Sequence, residues 1–187
     1  MLSGIIHPSS GDIKVMGFTP KKLQTAFKKQ FAITIGQKNQ LWWDIPAIDS
    51  FHLLKEIYQI TDENFKNILE ELTELLDVNH ILKVPLRNLS LGERMKMEII
   101  GSLLHSPKVL FLDEPTIGLD VLSRRRIRDF LKYINKQKNT TIILTSHYFE
   151  DIEELCNRII VIDKGKIIYD GNIGQAPLED TFDYLFK

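Results

Sequence analysis

An α/β fold, with a parallel sheet interrupted by a helical insertion, is what this sequence predicts, and three observations carry the prediction. The apolar run Val109-Leu-Phe-Leu112 closes on two adjacent carboxylates, Asp113 and Glu114, then Pro115. Such a run, with turn signals at its end, fits a parallel strand covered on both faces, and ligands gather beyond the carboxyl ends of such strands. A second β-favouring run, Thr140 to Leu144, reaches His147 three residues later. Between a strand region at Phe31–Ile35 and the Val109 strand, apolar residues recur at helical spacing from Ile45 to about Asp77, which places helices inside the sheet's sequence.

The elements follow in order. Met1 to Ile6 is expected to be the end of a helix, halted by Gly4 and Pro8. After the turn signals Pro8-Ser9-Ser10-Gly11, the alternation Asp12-Ile13-Lys14-Val15-Met16 predicts a half-buried strand. Lys21 to Gln30 predicts a short basic helix, Phe31 to Ile35 a strand, and Gly36-Gln37 the start of a loop. Phe51, Leu54 and Ile57, then Ile68, Leu72 and Leu75, mark two helices separated by a break and a new cap at Thr61-Asp62-Glu63. A helix from Ser90 to His105 leads into the Val109–Leu112 strand, a charged helix spans about Val121 to Gln137, and Ile159–Ile162 and Lys166–Tyr169 form a hairpin through Lys164-Gly165. Internal repeats and low-complexity tracts are absent from the sequence.

Composition narrows the function classes. A chain of 187 residues, 43% of them hydrophobic, suits one packed domain better than two. With 24 Lys and Arg against 25 Asp and Glu, the net charge is −1, which gives no general attraction to phosphate backbones or anionic lipid; nucleic acid is not an expected partner. The single cysteine, Cys156, forms no intrachain disulfide and no thiolate zinc cluster, in keeping with a reducing setting. No apolar run approaches the roughly 18–20 residues that cross a bilayer, and Met1 to Ile6 lacks the basic flank and length of a secretory signal. Any membrane role is therefore expected to run through a partner.

The candidate chemistry sits at strand and helix ends. An Asp-Glu pair at a strand end is on its own equally readable as solvated edge charge. The context argues for more: one strand delivers Asp113 and Glu114, a second delivers His147, and a third delivers Gln37. Asn88-Leu89-Ser90-Leu91-Gly92-Glu93-Arg94 adds a Ser in capping position and a Gly at a helix amino end, where free N–H groups attract phosphate. Four polar groups at element ends within one chain make coincidence a poor explanation, and Asp113, Glu114, Gln37 and His147 are expected to converge on one rim.

These residues resemble the ATP-binding cassette (ABC) ATPases over nearly the whole chain. Gln37 matches the Q-loop glutamine, Leu89 to Glu93 the signature motif, Val109 to Glu114 the Walker B strand, Gly118-Leu119-Asp120 the D-loop, and His147 the H-loop histidine. The resemblance implies a P-loop NTPase-like parallel-sheet core, with residues 1–187 forming a partial, incomplete ABC domain and 41–105 a signature-bearing helical subdomain within it. It implies ATP and Mg²⁺ as ligands and in-line attack of water on the γ-phosphate. Asp113 would then hold the Mg²⁺ shell, Glu114 orient and deprotonate the water, His147 touch the γ-phosphate, and Gln37 sense metal and water. Ser90 and Gly92 would close over ATP held by a second ABC ATPase subunit in a head-to-tail dimer, with Asp120 crossing the seam. A membrane permease of the export type would be the transport partner, placing the chain at the cytoplasmic face of the membrane.

The sequence departs from the family pattern in two places. Leu-Ser-Leu-Gly-Glu stands where Leu-Ser-Gly-Gly-Gln is usual, so Glu93 puts a carboxylate in place of a neutral amide; near phosphate it would repel unless its side chain points away. No G-x-x-x-x-G-K-[ST] phosphate cradle occurs, the only Gly-Lys pair being Gly165-Lys166, with Ile at position 160. The chain thus reads as an ABC domain shortened at its amino side, and a strand that the family places between the Walker B and His147 strands is expected to be lost. Two central strands would then be left with unpaired backbone groups, and the chain would be marginal and prone to associate.

The remaining conspicuous residues have plainer readings. Trp42-Trp43 fit core aromatics, yet two in a row cannot both face inward, so an exposed indole near a permease-docking surface is the sharper alternative. Arg124, Arg125, Arg126 and Arg128 read as a solvated helix face, as do Lys21-Lys22 and Lys28-Lys29. His7, His52, His80 and His105 read as surface or packing residues, and Cys156 as a small buried side chain. Besides a transporter ATPase, the sequence admits a non-transport ABC protein acting on ribosomes or DNA, although coiled-coil insertions and basic arms are not visible. It also admits a catalytically silent binding module.

Overall fold

In a computed structural model the chain is described over residues 1–35 and 38–175. It divides into two compact units, Met1–Ser146 and His147–Lys187. Three parallel strands organise the first unit: β1 (Phe31–Ile35), β2 (Val109–Asp113) and β3 (Thr141–Thr145), in spatial order β1-β2-β3. The register aligns their carboxyl ends, since Asp113 is the partner of both Ile35 and Thr145. Leu110 and Leu112 of the central strand are buried, as expected of a strand paired on both sides.

Between β1 and β2 lie the helices that the periodicity predicts: α2 (Ala47–Tyr58), α3 (Asp62–Leu75) and α4 (Leu91–Leu103), after a short α1 (Thr25–Lys28) that precedes β1. The break at residue 61 is an N-cap, the Thr61 side chain accepting from the Asn64 N–H at 3.4 Å. The long helix α5 (Val121–Lys138) follows β2 and buries Ile127, Phe130, Leu131 and Ile134, an i, i+3, i+4, i+7 stripe. Met97, Ile99, Ile100 and Leu104 extend the core from α4 and its end. A polar tie joins α3 to α5: Glu71 accepts from the Tyr133 hydroxyl at 2.9 Å and from Lys138 Nζ at 2.6 Å.

The second unit holds α6 (Phe149–Leu155) and the antiparallel hairpin β4 (Arg158–Asp163) and β5 (Lys166–Asn172). Lys164 and Gly165 both have positive φ, 46° and 76°, the pairing that a two-residue hairpin turn of the mirror-image type requires. Gly165-Lys166 is therefore turn and strand start. A bidentate pair, Arg158 Nε and a terminal nitrogen each donating to Asp170 at 2.7 Å, braces the outer face of the hairpin.

Several expectations are corrected. Met1 to Ile6 forms turns and bends instead of a helix end, because Gly4 at φ 81° takes the backbone into the left-handed region. The expected strand over Asp12–Met16 reduces to an isolated bridge between Val15 and Phe18, because Met16 and Gly17 turn the chain at positive φ. The basic helix over Lys21–Gln30 is split into a 3-10 turn at Pro20–Lys22 and α1, Leu23 lying in the left-handed region between them. The gap expected between the two central strands is closed: β2 pairs directly with β3, Val109 opposite Thr141 through Asp113 opposite Thr145. Arg128 is buried and not part of a solvated face, while Arg125 and Arg126 do lie exposed, paired with Asp129 and Asp77.

Candidate functional site

Asp113 ends β2 with its side chain exposed, and Glu114 follows at φ 52°. A bulky residue in the left-handed region, held there immediately before Pro115, is a local strain of the kind that functional turns retain. Thr145, the last residue of β3, provides the restraint. Its carbonyl accepts from the Glu114 N–H at 3.1 Å, and its Oγ1 lies 3.2 Å from the same N–H. The hydroxyl in turn donates to Asp113 Oδ1 at 2.7 Å. One side chain thus fixes both carboxylate-bearing residues, and its proton is committed to Asp113.

A second cluster forms where two helices begin. Ser90 caps α4, and Glu93 completes a reciprocal capping box: the Glu93 N–H donates to Ser90 Oγ at 3.3 Å, while Glu93 Oε2 accepts from the Ser90 N–H at 2.8 Å and from its hydroxyl at 2.7 Å. The Ser90 hydroxyl, and then its N–H, hold the Glu93 carboxyl below the usual range. The carboxylate at this unusual position is therefore folded back on its own cap. Asp120 caps α5, accepting from the Ser123 N–H at 2.9 Å, and the Ser123 hydroxyl and N–H lower its carboxyl likewise.

Two glycines bring these helix starts together. A β-carbon on Gly92 would stand 2.8 Å from Ser123 Oγ, and one on Gly118, at φ 72°, 3.1 Å from Leu91 Cδ2. Ser90, Gly92 and Asp120 consequently share one patch of the first unit. Gln37 lies outside the described residues, two positions beyond the β1 end that faces Asp113. His147 is exposed in a bend at the start of the second unit. Asp113 and Glu114 are thus the members of the expected four that the structure places side by side. Among the described residues no group of three or more His, Cys, Asp or Glu side chains is arranged to hold a metal ion.

Comparison with known proteins adds a second line of observation. A family model described as "AAA domain, putative AbiEii toxin, Type IV TA system" matches residues 43–148, more than half of the chain. The ABC transporter ATP-binding protein NatA of Bacillus subtilis (strain 168) is 27% identical over the whole chain and 76% of its own length. The linearmycin resistance ATP-binding protein LnrL of the same organism is 33% identical, over 91% of this chain and 54% of its own length. The chain belongs to the ABC transporter ATP-binding proteins. The structure of CbiO1 from Clostridium perfringens, titled as part of the ABC transporter complex CbiONQ, superposes with a TM-score of 0.81 at 26% identity, over 96% of this chain and 71% of that one.

In this ABC ATPase chain, sequence reasoning missed Thr145 and Ser123. A strand-end Thr two residues before His147 was the available signal for the first, and an i+3 position after the capping Asp120 for the second. The chain spans just over half the length of LnrL.

Proposed function

We propose that this chain is an ATP-binding and ATP-hydrolysing subunit of an ABC transporter that works with an export-type permease. The observation that carries the reading is the carboxyl-end rim, with Asp113 and Glu114 locked in place by Thr145. Residues 1–187 act as one partial ABC ATPase domain and 41–105 as its helical subdomain. Glu114, held by its backbone with its carboxylate beyond the strand end, orients the attacking water and takes its proton. The donor set suits Mg²⁺, since Asp113 and the neighbouring hydroxyl are hard oxygen groups and this ion binds through one or two carboxylates together with substrate phosphates. Asp113 would hold it, and bound Mg²⁺ supplies charge neutralisation at the phosphate oxygens.

The motif match assigns Gln37 to metal and water sensing and His147 to the γ-phosphate. Ser90, Gly92 and Asp120, gathered on one patch, suit closure over ATP on a second subunit in a head-to-tail dimer. Trp42 and Trp43, 46% and 40% exposed, suit the docking of a permease at the cytoplasmic face of the membrane; no helix among the described residues is long and apolar enough to cross one. A second reading, a silent binding module, draws on one observation, the lack of a phosphate-cradle motif in the sequence. In the transporter complex, Glu114→Gln is expected to cut ATP turnover by roughly 100- to 10,000-fold with nucleotide binding kept; unchanged turnover overturns the assignment. Mg-ATP titration of the 187-residue chain addresses the second reading: micromolar binding overturns it, and its absence favours it.

A further inference from the structure

Glu98 is a buried carboxylic acid that the chemistry above does not use. It lies on α4, 7% exposed, eight residues beyond the capping Ser90. Its Oε1 accepts two backbone hydrogen bonds from a segment far away in sequence, the Gln40 N–H at 3.0 Å and the Leu41 N–H at 3.2 Å. A buried carboxyl is costly unless it is matched by donors, and these two amides are what the fold supplies.

The same helix grips the same segment at two further points. Arg94, one turn before Glu98 and so on the same face, lies over the Trp43 ring at 4.8 Å. Gly101, one turn after, leaves room for Leu41: a β-carbon there would stand 3.1 Å from Leu41 Cδ2, and Leu41 is buried. Trp43 is held again through its carbonyl, which accepts from the Arg87 N–H at 3.0 Å. Beside these contacts opens a cavity of about 350 Å³ lined by Gln40, Leu41 and Glu98 together with Lys28, Tyr58 and His105. Nothing in simple core packing calls for a carboxylate here.

We propose that Glu98 is a positioning residue: by holding the Gln40 and Leu41 amides it fixes the backbone that leads out of Gln37 onto the helix whose first residues carry Ser90 and Gly92. One rigid element then sets two segments of the nucleotide site, which rests on the functional reading above for Gln37 and Ser90. Burial pushes the carboxyl up and the two amides oppose it, as befits a group kept for its acceptor oxygens.

The test compares Glu98→Gln, which keeps an acceptor oxygen, with Glu98→Leu, which keeps the volume and is at home in a buried site. Amide hydrogen exchange in the 187-residue chain is expected to show protection at Gln40 and Leu41 retained in E98Q. In E98L it should fall by at least about tenfold, the order set by the loss of two hydrogen bonds, with Ile99 and Leu110 as protected as before. Equal protection at Gln40 and Leu41 in E98L and the unchanged chain overturns the proposal, and so does loss of it in E98Q. In the ATP-hydrolysing complex, E98L should lower kcat with KM for ATP unchanged and E98Q should restore it; wild-type kcat in E98L overturns the positioning role. The exchange measurement uses no nucleotide, so it decides the anchor independently of the functional reading.

Discussion

At the scale of the residue, Glu93 shows how a departure from a family pattern is absorbed. Its carboxylate is the acceptor that Ser90 needs, so the negative charge serves the start of α4, where the exposed N–H groups favour it. Because the folded protein holds this carboxyl below its ordinary value near 4.5, its contribution is present above that value and is lost as pH falls through the depressed one. Glu93→Ala is expected to lower stability at neutral pH by about 0.3–1.5 kcal/mol. The gap to the unchanged chain should close in strong acid, as urea melts followed by circular dichroism from pH 7 to below pH 4 will show. The capping role was legible in Ser90-x-x-Glu93, whose spacing is the signature of a capping box. Thr145 was not: its two partners lie 31 and 32 residues away, and only the strand register brings them within reach. Glu98 was equally hidden, since a carboxylate among apolar neighbours in a helix gives no sign of what amides will meet it.

At the scale of the element, legibility followed length and periodicity. Helices α2 to α5 repeat their apolar positions over three turns or more, and the pattern alone located them. The seven-residue α6 carries too few turns to register. The alternation at Asp12–Met16 misled because two consecutive positive φ angles at Met16 and Gly17 end pairing before a ladder can grow. The contact between the starts of α4 and α5 yields a prediction of its own. Gly92→Ala gains about 1 kcal/mol of helix propensity but forces a β-carbon to 2.8 Å from Ser123 Oγ and 3.2 Å from Ser123 Cβ. Overpacking of this kind costs about 1–3 kcal/mol, so a net loss of roughly 1 kcal/mol is expected. Ser123→Gly, which removes both obstructing atoms, should return most of it in the double variant; a G92A chain as stable as the original in denaturant titration would show that α5 yields freely.

At the scale of the whole molecule, the order β1-β2-β3 protects the central strand and leaves β3 with one side unpaired among the described residues. Ile143 in the middle of β3 is 43% exposed, and an apolar residue on an open strand edge invites pairing with another chain. Ile143→Lys should raise the concentration at which light scattering detects association, with the unfolding midpoint nearly unchanged; identical scattering would place the association elsewhere. The fold class was readable because the apolar runs of β2 and β3 close on the polar residues Asp113 and Thr145, and each of these strands leads on to a helix. The direct β2–β3 pairing was not, since pairing partners depend on which backbone edges are free once the chain has collapsed. Both tryptophans of the chain sit side by side in the segment that α4 grips, one ring beneath the Arg94 guanidinium. Tryptophan emission from this protein, excited at the red edge where its five tyrosines do not absorb, therefore originates at a single locus, and its wavelength and quenching give a label-free optical gauge of that segment in every variant described above.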